Sequence, residues 1–172
     1  MRGVPVVIVP VFYTSLSGNT EEAAHLVAEA VGGTPVDVAG DPAALEAVLS
    51  TLAAGEAPVA FFGTYTWGDG ELPEAMRRFL RRLLIDEADR YRPLPPAAVF
   101  GTGDSIFPRF CRAVDAVRYH LERRGVRVVA EGMKLEQSPH GLGQAPKLVA
   151  WARDAYRAAT GRLPAPVRPV RA

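Results

Sequence analysis

Only one cysteine, Cys111, occurs in the 172 residues, so no disulfide can form within the chain and no cysteine-based metal site is available. Long apolar runs are missing too. The most extended, VPVVIVPVFY at residues 4–13, is about half the length that a membrane-spanning helix needs. Net charge is almost absent, with 20 basic residues against 19 acidic ones, and this argues against nucleic acid or a membrane surface as the main partner. At the amino terminus one Arg precedes a strand-like run with no small-residue cleavage site behind it. No secretory signal is therefore expected, and the cytoplasm is the expected compartment. The chain carries no internal repeat.

What is present suits a globule. At this length roughly 70% of the unfolded chain's surface can be buried, and 48% hydrophobic content supplies the material. Short runs rich in Val and Phe (Val6–Tyr13, Pro35–Val38, Val59–Gly63, Ala98–Gly101, Val126–Leu135) alternate with stretches of helical period. Those stretches carry Ala23, Val27, Ala30 and Val31; then Leu45, Val48, Leu49 and Leu52; then Met76, Phe79, Leu80, Leu83 and Leu84. Two more follow, with Phe110, Val114, Val117 and Leu121, and with Leu148, Ala152 and Ala155. Such alternation implies an α/β domain over residues 1–160, its parallel sheet covered on both faces. Pro42 and Pro73 sit where a first helical turn accepts proline, and Gly125 stands as a helix stop. Residues 161–172, rich in Pro and Arg, are expected to be disordered or loosely laid on the surface. Pro10 conflicts with this pattern, because a central strand needs its N–H groups; a kink, a bulge or a water is expected there.

In a doubly wound sheet the ligand lies outside the carboxyl ends of the strands. The loops after the first, third and fourth runs are the unusual ones. Ser15, Leu16, Ser17, Gly18, Asn19 and Thr20 offer hydroxyls, an amide and a glycine directly before a helix, a natural cradle for an anion. The loop has no Lys or Arg and no GxxxxGK[ST] spacing, so its neutral donors suit a phosphomonoester that stays bound and does not react. An ordinary capped helix start has the same composition. Thr64, Tyr65, Thr66, Trp67, Gly68 and Asp69 place a Trp next to glycine, where its ring can cover a flat ligand or fold back onto the protein. Thr102, Gly103, Asp104 and Phe107 offer close backbone donors and a second aromatic wall, although a lone Phe is more often core.

The motifs TSLSGNT, GTYTWGDGELP and GTGDSIFPRFCRAVDAV, in this order and spacing, resemble the three FMN-binding loops of short-chain flavodoxins across nearly all of residues 6–157. The resemblance implies a flavodoxin-like three-layer α/β/α fold with a five-stranded parallel sheet in the order 2-1-3-4-5. It implies non-covalent FMN, with its phosphate in Ser15–Thr20, Trp67 stacked on one face of the ring and Phe107 on the other, where the family usually has Tyr. The backbone of Thr66, Gly68, Thr102, Gly103 and Asp104 would bond the ring's polar edge. Cys111 matches a cysteine that is often buried in the family. The implied function is a low-potential one-electron carrier, monomeric, docking transiently at the flavin edge with a flavodoxin or ferredoxin reductase and with acceptor redox enzymes. The short segment Gln137–Gly143 indicates that the insertion of long-chain members is absent. Two departures stand out: the family is usually strongly acidic, and Pro10 is atypical.

Other readings are weaker. An FMN-dependent NAD(P)H quinone or nitro reductase of similar fold needs room over the flavin, and no GxGxxG fingerprint is present. A phosphoacceptor signalling domain needs an acidic cluster after the first strand, which Thr14–Ser17 lacks. His25, His120 and His140 fit no metal or nucleophile spacing, and Arg77, Arg78, Arg81 and Arg82 read first as a solvated helix face.

Overall fold

Side-chain alternation along five short strands builds this molecule from its centre outward. The computed structural model describes residues 7–165. Strands β1 (Pro10–Tyr13), β2 (Thr34–Asp37), β3 (Ala60–Tyr65), β4 (Ala97–Gly103) and β5 (Met133–Glu136) form one parallel sheet in the order β2-β1-β3-β4-β5. The helices are α1 (Asn19–Val31), α2 (Pro42–Ala53), α3 (Glu74–Arg81), α4 (Ala88–Tyr91), α5 (Arg112–Arg123) and α6 (Gln144–Thr160).

Successive strand residues point to opposite faces, so the central strands β1, β3 and β4 each feed two cores, while β2 and β5 at the edges feed one each. Val11, Tyr13, Phe61 and Phe100 pack with Val27 of α1 and Leu148 and Ala152 of α6. Phe12, Phe62 and Val99 pack with Leu49 of α2, Leu80 of α3 and Val114 and Leu121 of α5. The rings of Phe12 and Phe79 lie 4.8 Å apart within this second core. Gly63 is small for a reason: a Cβ there would stand 2.3 Å from Phe100. Truncating a fully buried residue such as Leu121 to Ala costs about 2–5 kcal/mol.

Helix boundaries follow local chemistry. Asp41 caps α2 by accepting from the Ala43 amide at 3.1 Å, with Pro42 in the first turn. Gly125, at φ 81°, follows the end of α5. Pro73 stands one residue before the first turn of α3. All five apolar residues expected on the third helix are buried, but the helix widens into a π turn at Arg82–Asp86.

Several expectations change. Pro10 opens β1 and causes neither a kink nor a bulge: pairing with β3 begins only at Val11 and Phe61, past the rung that its missing N–H would supply. Phe110 precedes α5 and is only partly buried. The fifth run divides, with Val128 bridging Ala97 and the strand resuming at Met133. Between them the Glu131 carbonyl turns away from the sheet and accepts from the Trp151 indole at 2.9 Å. Pro164 is buried, so the tail packs back at least that far. Val6 and residues 166–172 lie outside the described residues.

Candidate functional site

The three loops emerge side by side from the carboxyl ends of β1, β3 and β4, the central strands of the sheet. In the first, the Ser15 hydroxyl accepts from the amides of Gly18 (3.1 Å) and Glu21 (3.3 Å), which bends the chain into α1. Gly18 takes the N-cap position at φ 94°, a conformation that favours glycine. Among the described residues the amides of Ser17, Asn19 and Thr20 find no protein acceptor, so three donors stay open at the positive end of a thirteen-residue helix. Leu16 and Ser17 are exposed. Thr20 is buried, and its hydroxyl shares a 2.7 Å hydrogen bond with Thr102, joining the first loop to β4.

The second loop closes on itself. Trp67 and Glu71 exchange backbone hydrogen bonds of 2.8 and 2.7 Å, and Gly68 (φ 52°) and Gly70 (φ 96°) make the turn between them. Thr64 is buried in β3 and donates to the Tyr65 carbonyl. The Thr66 hydroxyl accepts from Ala113 at 3.2 Å, anchoring the loop to the start of α5. Trp67, half exposed at 52%, stands edge-on to the Tyr65 ring at 6.4 Å. Asp69 is exposed, and its carbonyl accepts from Arg109 of the third loop at 3.1 Å.

The third loop turns about Asp104, whose carboxylate accepts from Ile106 and whose carbonyl accepts from Phe107. Phe107 is 61% exposed and is not a core residue. Gly103 must be glycine, since a Cβ would meet the Cys111 sulfur at 2.9 Å. The Cys111 thiol is buried inward beneath it, and burial pushes its pKa up to about 12. Only the backbone of Cys111 is therefore available to a ligand. A narrow cleft between the second and third loops is lined by Thr66, Gly68, Asp69, Gly103, Asp104, Phe107 and Cys111, with Arg109 at its edge.

Reading the sequence did not single out the residues that fix this third loop. The Glu136 carboxylate, at the carboxyl end of β5, accepts from the Ser105 amide at 3.0 and 3.2 Å. Next to it the Gln137 amide donates to the Gly103 carbonyl at 2.7 Å. Gln144 ties this corner together: its side-chain oxygen accepts from the Glu136 amide, and its NH2 donates to the carbonyls of Glu136, Ser138 and Gly141. The rule that selected the other loops could have found Glu136, since it directly follows Leu135 at the end of the fifth run.

Charge at the rim is mixed. Asp69, Glu71 and Asp104 are interleaved with Arg109 and Arg112, whose side chains pack around Gly70. Glu74 lies 2.9 Å from Arg78 and 3.7 Å from Arg77, so its charge is compensated by its own helix. Tyr13 is buried beneath the first loop; burial first, then the carboxylates of Glu21 and Asp37, raise its phenol to about 12 and keep it neutral. His25, His120 and His140 are exposed and lie outside the cleft.

Comparison with known proteins gives this geometry a context. The sequence model of the family described as Flavodoxin matches residues 11–151. A Bacillus subtilis protein described as probable flavodoxin 2 is 33% identical over 132 residues, which span 75% of this chain and 82% of that protein. A flavodoxin from Maridesulfovibrio salexigens is 32% identical over 142 residues, 82% of this chain and 91% of that one. The crystal structure of oxidised flavodoxin 2 from Bacillus cereus superposes with a TM-score of 0.65 at 30% identity, covering 87% of this chain and 97% of that one. The family match, the sheet order and the three converging loops agree: the chain belongs to the flavodoxin family.

Proposed function

We propose that this protein carries single electrons between a reductase and acceptor redox proteins, using FMN held by its three loops. Flavodoxins bind FMN and transfer electrons, and the coarse function follows from family membership. The residues assigned to the cofactor are our own reading. The observation that carries it is the pairing of three open amides at the start of α1 with two exposed aromatic rings, Trp67 and Phe107, on neighbouring loops. A phosphate suits the amides and the helix end. A flat apolar ring suits the aromatic side chains, which otherwise face water at a cost.

The donor set also fits in what it lacks. No Lys or Arg lies in Ser15–Thr20, so the phosphate is held by neutral donors and the helix end alone. Ser17 is free to add a hydroxyl. Thr20 supports the loop through Thr102, and any hydrogen bond it gives the phosphate comes chiefly from its amide. Gly68 and the backbone around Gly103, Asp104 and Cys111 present polar groups to the narrow cleft, which suits the edge of a ring. FMN supplies the redox chemistry by taking up and releasing electrons one at a time; the protein binds it, orients it and sets its surroundings.

The test is spectroscopic and kinetic. The purified protein is expected to be yellow, to contain one FMN per chain, and to leave NAD(P)H unoxidised until a flavodoxin reductase is added. Rapid NAD(P)H oxidation by the protein alone would mean a reductase instead.

A further inference from the structure

Four arginines outside the cofactor loops, Arg77, Arg81, Arg123 and Arg124, line one groove. A groove of about 390 Å³ opens between α3 with its wide turn and α5. Leu80 and Leu84 form its floor, and Ile85 and Tyr119, 52% and 56% exposed, flank it. Among the described residues nine large apolar side chains are exposed; Leu16, Trp67, Ile106 and Phe107 lie on the cofactor loops, and these two lie here. Uncovered apolar surface that clusters in this way marks a contact site.

The walls are cationic. Arg77 and Arg81 stand on one side, Arg123 and Arg124 on the other. Among the described residues two carboxylates compensate them: Glu74, shared by Arg77 and Arg78, and Asp86, 3.5 Å from Arg81. Arg123 donates to the Tyr119 hydroxyl at 2.8 Å, and Arg124 has no carboxylate in ion-pair range among the described residues. Arg82 does not contribute, because it is drawn away into ion pairs with Glu46 and Glu87. The attraction of helix carboxyl ends for cations accounts for Arg81 and Arg123, but not for the apolar floor left open between them. Arginine and tyrosine around an aliphatic centre are what energetically dominant contact residues look like.

We infer that this groove docks an acidic, amphipathic segment of the protein that exchanges electrons with this one. The inference rests on the carrier reading above. Carboxylates would meet the arginines while apolar side chains cover Ile85 and Tyr119. The groove starts at Leu72, next in the chain to Glu71, which is bonded to Trp67, and runs from there towards Arg123 and Arg124 at the carboxyl end of α5. The four arginines of its walls form a local basic field.

The experiment uses the full chain with FMN bound and a helical peptide of about 14 residues, four turns, with Leu on one face and Glu on the other. Amide chemical shifts are expected to move saturably at Ile85, Tyr119 and Arg123. Affinity should fall about tenfold in the double variant Arg81→Glu, Arg123→Glu, and severalfold in Ile85→Asn. Arg153→Glu on α6 should leave it unchanged. Undiminished peptide binding by the double variant, shifts confined to Trp67 and Phe107, or tighter binding of duplex DNA or phosphatidylserine vesicles than of the peptide would overturn the proposal. FMN content read in the same samples separates the two failures. Loss of FMN from the unmodified chain counts against the cofactor reading, and peptide binding that survives charge reversal counts against the groove.

Discussion

Placed side by side, the first and third loops are held from different distances along the chain. Ser15 organises its own loop by accepting from amides three and six residues ahead. Ser105 is held by Glu136, 31 residues on, within a corner that Gln144 ties together. One loop is a local motif that also starts a helix. The other is backbone aimed by a neighbouring strand. A site can therefore combine a part whose turn is bonded mainly within its own segment with a part aimed by a neighbouring strand.

The sharpest way to break this contrast is to release the third loop alone. Glu136→Ala leaves the Ser105 amide without its charged acceptor, at a cost of about 1.5–3 kcal/mol for such a bond. If the phosphate is held by the first loop as proposed, affinity for FMN and for riboflavin should fall by the same factor, about tenfold or more. A loss confined to FMN would show that the two loops are not separable. Glu136→Gln, which keeps an acceptor, should recover part of the loss.

The converse change is smaller. Ser15→Ala removes the hydroxyl that receives two amides at the start of α1, worth about 1 kcal/mol as a cap. FMN should weaken more than riboflavin, since the phosphate donors are what loosen. Parallel titrations of the two ligands check this directly, and equal losses would place Ser15 outside the phosphate cradle.

A control remote from both loops tests stability against pH. Hydrogen bonds from Arg82 hold the carboxyls of Glu46 and Glu87 below their ordinary value of 4.5. Groups depressed in this way stabilise the fold above that value, and the contribution is lost as pH falls through their lowered folded values. Arg82→Met should reduce stability at pH 7 and flatten the acid side of the stability profile, leaving FMN affinity at pH 7 unchanged. An acid limb as steep as in the unmodified chain would contradict this.

The smallest expected effect is at Cys111. With its thiol raised to about 12 by burial, it should resist alkylation at pH 7 in the folded protein and react only on unfolding. Rapid labelling of the native protein would mean that the third loop opens far more readily than its hydrogen bonds suggest.

The same contrast explains what could be read from the sequence. The strand–helix alternation, the loops at the carboxyl ends of the sheet, the helix start at Pro42 and the helix stop at Gly125 are local patterns, and all of them are present in the structure. Trp67 and Phe107 are exposed, so neither ring is folded into the core. What was not legible depends on pairing partners. Pro10 is harmless only because of where the neighbouring strand starts to pair. The Thr20 hydroxyl is engaged by Thr102, 82 positions away. Arg77, Arg78 and Arg81 are exposed as a helical pattern suggests, but Arg82 meets Glu46 from another helix, and the groove exists only once α5 lies beside α3.

The central claim is that three loops hold FMN with its phosphate at the start of α1. Titrating the FMN-free protein with FMN and with riboflavin, under identical conditions, tests it most directly. Loss of several hydrogen bonds to a charged group, at about 1–3 kcal/mol each, should make riboflavin bind at least about a hundredfold more weakly. Equal affinity for the two ligands would contradict the account.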